Sequence, residues 1–215
     1  MAYKPILFNT EMVQAIQSGR KTQTRRVAKQ LSDLLPRPDG LPPEKFDFFI
    51  SPSSSTLYWK DLNHQVTVDG KIVFAPFTPG DILWVRETWF DMTDNNGDVL
   101  YRYAADLLPP DNPADWRWKP SIHMPKEAAR IFLRVKDVRV EHLGDMRLHD
   151  CLNEGVRLSA AVENDLVRAP IRAREWFSQV WDSTIKPADR DKYGWDANPW
   201  VWVIEFEKIE KPERW

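Results

Sequence analysis

Pro79-Gly-Asp-Ile-Leu-Trp-Val-Arg-Glu-Thr-Trp89 is the stretch on which the fold turns. Its start, with Thr78, has the chemistry of a turn: proline fixes one φ and glycine adopts conformations other residues avoid. Ile82 to Trp89 is rich in β-branched and aromatic residues and reads as a strand. Alternation puts Ile82, Trp84, Arg86 and Thr88 on one face, and Leu83, Val85, Glu87 and Trp89 on the other. Each face then holds one charge among large apolar neighbours, and a buried charge needs a partner. Two readings fit: an internal pair joining Glu87 to Arg86 or Arg130, or a cleft in which Arg86 or Glu87 faces a ligand.

Lys4–Phe8 reads as a short strand. Asn9 or Thr10 caps a helix with Met12, Ala15 and Ile16 at helical spacing, ended by Gly19. Asp94-Asn-Asn-Gly97 turns into a strand over 99–103, residues 129–140 make one bent strand or two, and Trp200–Phe206 is a strand apolar enough to be central. Helical patterns cover 145–154 and 171–184. In the second, Trp176 and Trp181 read as core and Arg168, Arg172, Arg174 and Glu175 as a solvated face. Five prolines and a serine run make 31–55 irregular, and Asp69-Gly70 marks a hairpin within 56–74. Residues 31–75 therefore read as an insertion or lid in one domain, 1–215. The alternative for this segment is a partner or dimer surface. Several separated strands with few helices predict an α+β chain built on a small β-barrel.

Composition narrows the function classes. The net charge is −2, which excludes a wholly basic nucleic-acid-coating protein but permits a local basic patch. One cysteine, Cys151, excludes an internal disulfide and a cysteine-rich zinc module. The four histidines, at 64, 123, 142 and 149, are scattered, so neither a metal nor another cofactor is expected. Eight glycines argue against a glycine-rich phosphate loop. No apolar run reaches the length of a membrane span, and Met-Ala-Tyr-Lys-Pro lacks the apolar core of a secretory signal. A cytoplasmic, reduced protein, monomeric or homodimeric, is the expectation.

The basic run Gly19-Arg-Lys-Thr-Gln-Thr-Arg-Arg26 carries most of the chemistry. On a helical turn or tight loop, Lys21 and Thr24 face the same side. A threonine hydroxyl becomes a nucleophile when a neutral lysine takes its proton, and neighbouring cations and burial favour the neutral lysine. Arg20, Arg25 and Arg26 suit phosphate or nucleic-acid contact, and a plain solvated loop fits the same residues. Glu154 reads either as an acid or orienting group for Lys21, or as a helix-end carboxylate without a role. Eleven tryptophans supply aromatic surface. Trp200 and Trp202 read as core. Trp84 reads as core or as a stacking platform. Trp59 lies in or near a loop, and Trp116 and Trp118, beside Arg117 and Lys119, suit stacking on bases as well as packing of their loop.

Four segments together resemble the ASCH family of PUA-like β-barrels, in its longer, Trp-rich phage and prophage type. They are 19–26, 79–89, Trp116-Arg-Trp-Lys-Pro-Ser-Ile-His-Met-Pro125 with the Arg130 strand, and Asn153-Glu-Gly155 with the closing strand. The likeness runs from about residue 4 to 207, outside the 31–75 insertion. It implies a cleft that handles RNA, a nucleoside or a nucleotide. One branch of the family, bacterial amidohydrolases, deacetylates 4-acetylcytidine with a lysine and a threonine in this run and a later glutamate. Lys21 and Thr24 match the first two, and Glu154 is the best match for the third. The implied activity is hydrolysis of an acylated nucleobase or nucleoside. The alternatives are a non-catalytic RNA- or nucleotide-binding module and a ribonuclease.

Overall fold

Asn9 decides where the first helix starts. In the computed structural model its side-chain oxygen accepts the Met12 N–H at 2.9 Å, satisfying a donor the helix itself leaves unmet. The model describes residues 2–34, 65–68, 71–107, 117–213 and 215. Trp59, Trp116 and most of the proposed insertion lie outside the described residues. Two compact units emerge: residues 1–22, 79–136 and 206–215 form the first, and 23–78 and 137–205 the second. In chain order the elements are β1 (Tyr3–Leu7), α1 (Thr10–Gln17), β2 (Gln23–Val27), α2 (Lys29–Leu34), β3 (Gln65–Val68), β4 (Lys71–Phe74), β5 (Ile82–Arg86), β6 (Trp89–Thr93), β7 (Val99–Tyr103), β8 (Phe132–His142), α3 (Leu148–Asn153), α4 (Ala160–Glu163), α5 (Arg168–Thr184), α6 (Arg190–Tyr193) and β9 (Trp200–Ile209). The class is mixed α+β.

In the first unit the strand order is β1-β5-β8, with β1 parallel and β8 antiparallel to β5. Leu83 and Val85 are fully buried, as the run of apolar residues requires. The strand read over 82–89 ends at Arg86, and Trp89 opens β6, which pairs with β7 across the Asp94–Gly97 turn. Asp94 holds that turn by accepting the N–H groups of Asn96 and Asp98. Around Phe132 gather Ile82, Trp89, Met124, Ala128 and Ala129, with Trp215 packed edge-on to Phe132 at 4.6 Å between ring centroids.

The second unit has the order β8-β9-β2, with β2 antiparallel to β9, and β3 and β4 pair antiparallel within the stretch read as a hairpin, whose Asp69-Gly70 pair lies outside the described residues. β9 is buried along most of its length. Its core joins Leu143, Cys151, Phe177, Trp181, Val201 and Val203. On α5, Ala169, Ala173, Phe177 and Trp181 recur every four residues and form its buried face. Arg174 is not solvated as expected: it donates to the carbonyls of Gly144 and Met146 at 3.0 and 2.6 Å and fixes the turn after β8. Within each unit the strand order is open rather than closed into a barrel. No helix among the described residues is long and apolar enough to cross a membrane.

Candidate functional site

The basic run is not a helical turn or a loop over its second half. After α1, Gly19 takes φ +75°, and the N–H groups of Arg20 and Lys21 both donate to the Ala15 carbonyl. The chain then enters β2 at Gln23. Paired with β9 through Thr24↔Ile204 and Arg25↔Val203, these polar residues lie in the interior. Gln23, Thr24 and Arg25 are each no more than 2% exposed.

Burial without partners would be costly, and in the second unit the partners come from far along the chain. Arg25 donates to Glu154 at 3.1 Å, makes a short bond to Glu141, and lies 3.4 Å from Asp150. Gln23 donates to the carbonyl and side chain of Asp150. Arg139 bridges Glu141, Asp150 and Glu205. Burial opposes the charge on Arg25, but Glu154, Glu141 and Asp150 outweigh it and raise its pKa above the ordinary arginine value. Asp150 is also buried, which alone would raise its pKa. The N–H of Arg147, the charge of Arg25 and the Gln23 amide instead carry it below the usual aspartate value. Among the described residues the Nε of Arg25 has no hydrogen-bond partner. Among the described residues no group of three or more His, Cys, Asp or Glu side chains is placed to hold a metal ion.

Thr24 and Arg26 lie on the same side of β2 by alternation, and Arg26 Nη1 donates to Thr24 Oγ1 at 3.1 Å. Burial pushes the Arg26 guanidinium below its ordinary value, and the charge of Glu154 pulls it back up. A hydroxyl and a buried guanidinium thus meet on β2, and the charge of Glu154, paired with Arg25, reaches that guanidinium. Glu154 is 4% exposed, placed by the end of α3, and Gly155 follows at φ +99°. Arg139, Glu141 and Asp150 were missed by sequence reasoning. The signal available was the alternation of charge along 137–141 and an aspartate in the first turn of a helix.

In the first unit Lys21 is 3% exposed, with its ammonium 5.6 Å from the centre of the Phe8 ring. Arg20 is partly buried and donates to Ser18 Oγ at 3.1 Å. Glu87, 1% exposed, accepts two bonds of 2.9 Å from Arg130, the internal pair that alternation anticipated. Arg130 also meets Asp106 at 2.6 Å and lies over the Tyr103 ring at 3.7 Å. Burial raises the pKa of Glu87 and pushes the Tyr103 phenol up to about 12. Arg86 is tied to the carbonyls of Met124 and Ile122 and sits 5.6 Å over Trp84, which is itself near Trp215. Trp118 packs edge-on to Phe90, beside the Lys119–Asp91 pair.

No family model matches the chain, and no curated protein matches it. Among solved structures, it is similar to the ASCH domain from Lactobacillus crispatus JV V101, with a TM-score of 0.36 and 11% identity, over 98% of this chain and 81% of that one.

Proposed function

We propose that the chain is a PUA-like hydrolase that cleaves the amide of an acylated nucleobase or nucleoside, with 4-acetylcytidine as the type of substrate. The observation that carries this reading is the Thr24–Arg26 contact, made within the electrostatic reach of Glu154. A guanidinium donating to the threonine oxygen leaves the hydroxyl proton free to depart and stabilises the alkoxide that forms. Arg25 is neutralised by Glu154, Glu141 and Asp150, so this part of the basic run favours an uncharged group over a phosphate.

In the reaction, Thr24 Oγ attacks the amide carbonyl carbon and its proton passes to a base. The base role falls to Lys21 on the sequence resemblance alone. Negative charge collects on the carbonyl oxygen, where Arg26 donates. The C–N bond breaks, the amine leaves with the proton, and an ester on Thr24 remains. Water then releases the carboxylic acid and restores the hydroxyl. Glu154 positions the two arginines.

The test is release of cytidine from 4-acetylcytidine, followed by chromatography. Thr24→Ala abolishes turnover and leaves nucleoside binding largely intact, and Thr24→Ser retains part of the activity. If the native protein shows no turnover on acylated nucleosides, the reading gives way to a non-catalytic RNA- or nucleotide-binding module. If it turns over and Thr24→Ala is as active, Thr24 is not the nucleophile and the mechanism is wrong.

A further inference from the structure

A second binding feature lies in the second unit, on residues that the reaction above does not use. The segment following Gly155 runs past α5 and leaves an open groove of about 340 Å³ between residues 157–162 and the helix. That volume falls at the small end of ligand pockets, enough for one ring system and one substituent. Its apolar side is made by Trp176 and Leu158, both half-buried and packed against the Leu143–Phe177–Trp181 core. The indole is therefore held from behind while it lines the groove.

The polar side is exposed and, among the described residues, holds both paired and unpaired groups. Arg172 is satisfied by Glu175, one turn along α5, at 2.8 Å. The Arg157 guanidinium, the Ser159 hydroxyl and the Gln179 amide, by contrast, have no hydrogen-bond or ion-pair partner among the described residues, and all three line the groove. Arg157 and Arg172 against Glu175 leave the lining with one net positive charge. An aromatic platform thus faces one unneutralised cation, one hydroxyl and one amide.

We propose that this groove binds a small planar aromatic molecule that carries a single anionic group. Its ring lies on Trp176, its anion takes Arg157 and Ser159, and Gln179 meets polar atoms on the ring edge. The indole selects flat apolar rings and the cation rejects their neutral forms. A carboxylate or a phosphate ester would serve equally as the anion. The proposal is independent of the hydrolase reading.

The full-length protein, labelled with ¹⁵N, is titrated with indole-3-acetate and with uridine 5′-monophosphate, following the indole N–H signals. The Trp176 signal is identified by its loss in Trp176→Leu. Controls are indole-3-acetamide, uridine, acetate and inorganic phosphate. The expected result is saturable movement of the Trp176 signal with at least one aromatic anion. Its neutral counterpart binds about tenfold more weakly, and so does the aromatic anion to Arg157→Gln. Arg157 is exposed, so its variant folds, and if Trp176→Leu unfolds the Trp176 signal is identified by its loss in Trp176→Phe instead. Response to indole-3-acetate alone assigns the ligand class to aryl carboxylates, and response to the nucleotide alone assigns it to aromatic phosphate esters. The proposal is overturned if neither anion moves the signal, if the neutral compounds bind as well, if acetate or phosphate alone matches the aromatic anions, or if Arg157→Gln changes nothing.

Discussion

Both carboxylate oxygens of Glu87 accept from the single guanidinium of Arg130, each at 2.9 Å, so that one cation satisfies a carboxylate that is 1% exposed. Burial raises the pKa of that carboxylate, and the fork pulls against the rise without cancelling it. Arg130→Met removes the fork and leaves the acid alone. The expected loss is about 3–5 kcal/mol of stability at neutral pH, read as a lower urea midpoint. Because the folded pKa of Glu87 lies above its ordinary value, its ionised form costs stability at neutral pH. That cost is relieved as pH falls through the folded pKa toward 4.5. The deficit of the variant therefore shrinks in acid, and a deficit that grows there would contradict the pairing.

Asp150 runs the opposite way. Its folded pKa is depressed, so it contributes stability above its ordinary value of 3.8, and loses that contribution as pH falls below this value through the folded one. Asp150→Asn should lower the melting temperature at pH 7 and flatten the acid limb of the stability profile. Circular dichroism melts from pH 7 down to about pH 2.5 measure both. An unchanged acid limb would remove Asp150 from the account of acid sensitivity.

Arg26→Ala tests the electrostatic half of the proposed reaction. Loss of the donor on Thr24 Oγ should cut kcat by about 10²–10³-fold, with KM little changed. A fall in KM-side binding alone would make Arg26 a ligand-holding residue. A melt of the variant, run alongside, separates this from unfolding.

Trp215 packs edge-on to Phe132, 6.1 Å from Trp84 and 6.5 Å from Tyr3, with Lys126 lying 4.6 Å over its ring. Trp215→Ala should cost about 3 kcal/mol, the lower limit of aromatic truncations, because the ring is only half-buried. Differential scanning calorimetry reads it, and Trp215→Phe should recover most of the loss.

What was legible in the sequence is local in origin. The Ile82–Val85 run is apolar over adjacent positions, Asn9 caps the helix that starts at Thr10 by accepting from Met12, and β3 and β4 pair antiparallel where the sequence reads as a hairpin. The Glu87–Arg130 pair was legible because a charge on an apolar strand demands an opposite charge. β2 was not, because Gln23-Thr-Arg-Arg26 carries no apolar residue and reads as solvent-exposed. Its burial is made tolerable by Glu141, Asp150 and Glu154, which lie 116 to 129 positions away from their partners. Nothing in a window around residue 25 announces them. Arg139 has its partners Glu141, Asp150 and Glu205 at 2, 11 and 66 positions, and the nearest of them reads as an ordinary surface pair. The end of β5 at Arg86 was hidden for a different reason: Trp89 fits the alternation as well as it fits a new strand, and only its pairing with Tyr103 decides.

Cys151 is fully buried in the second unit's core, and burial raises its thiol to about 11, against the lowering pull of Arg25 and Arg174. It is also the chain's single cysteine. The protein therefore carries a built-in clock for the opening of one unit. At neutral pH a thiol reagent reaches the sulfur only when the surrounding side chains part. The ratio of the labelling rate to that of the denatured chain then gives the free energy of that opening. The first unit holds no thiol and stays silent. Under native conditions one label per molecule should thus appear slowly, and Asp150→Asn should hasten it while Trp215→Ala should do so only to the extent that the two units open together.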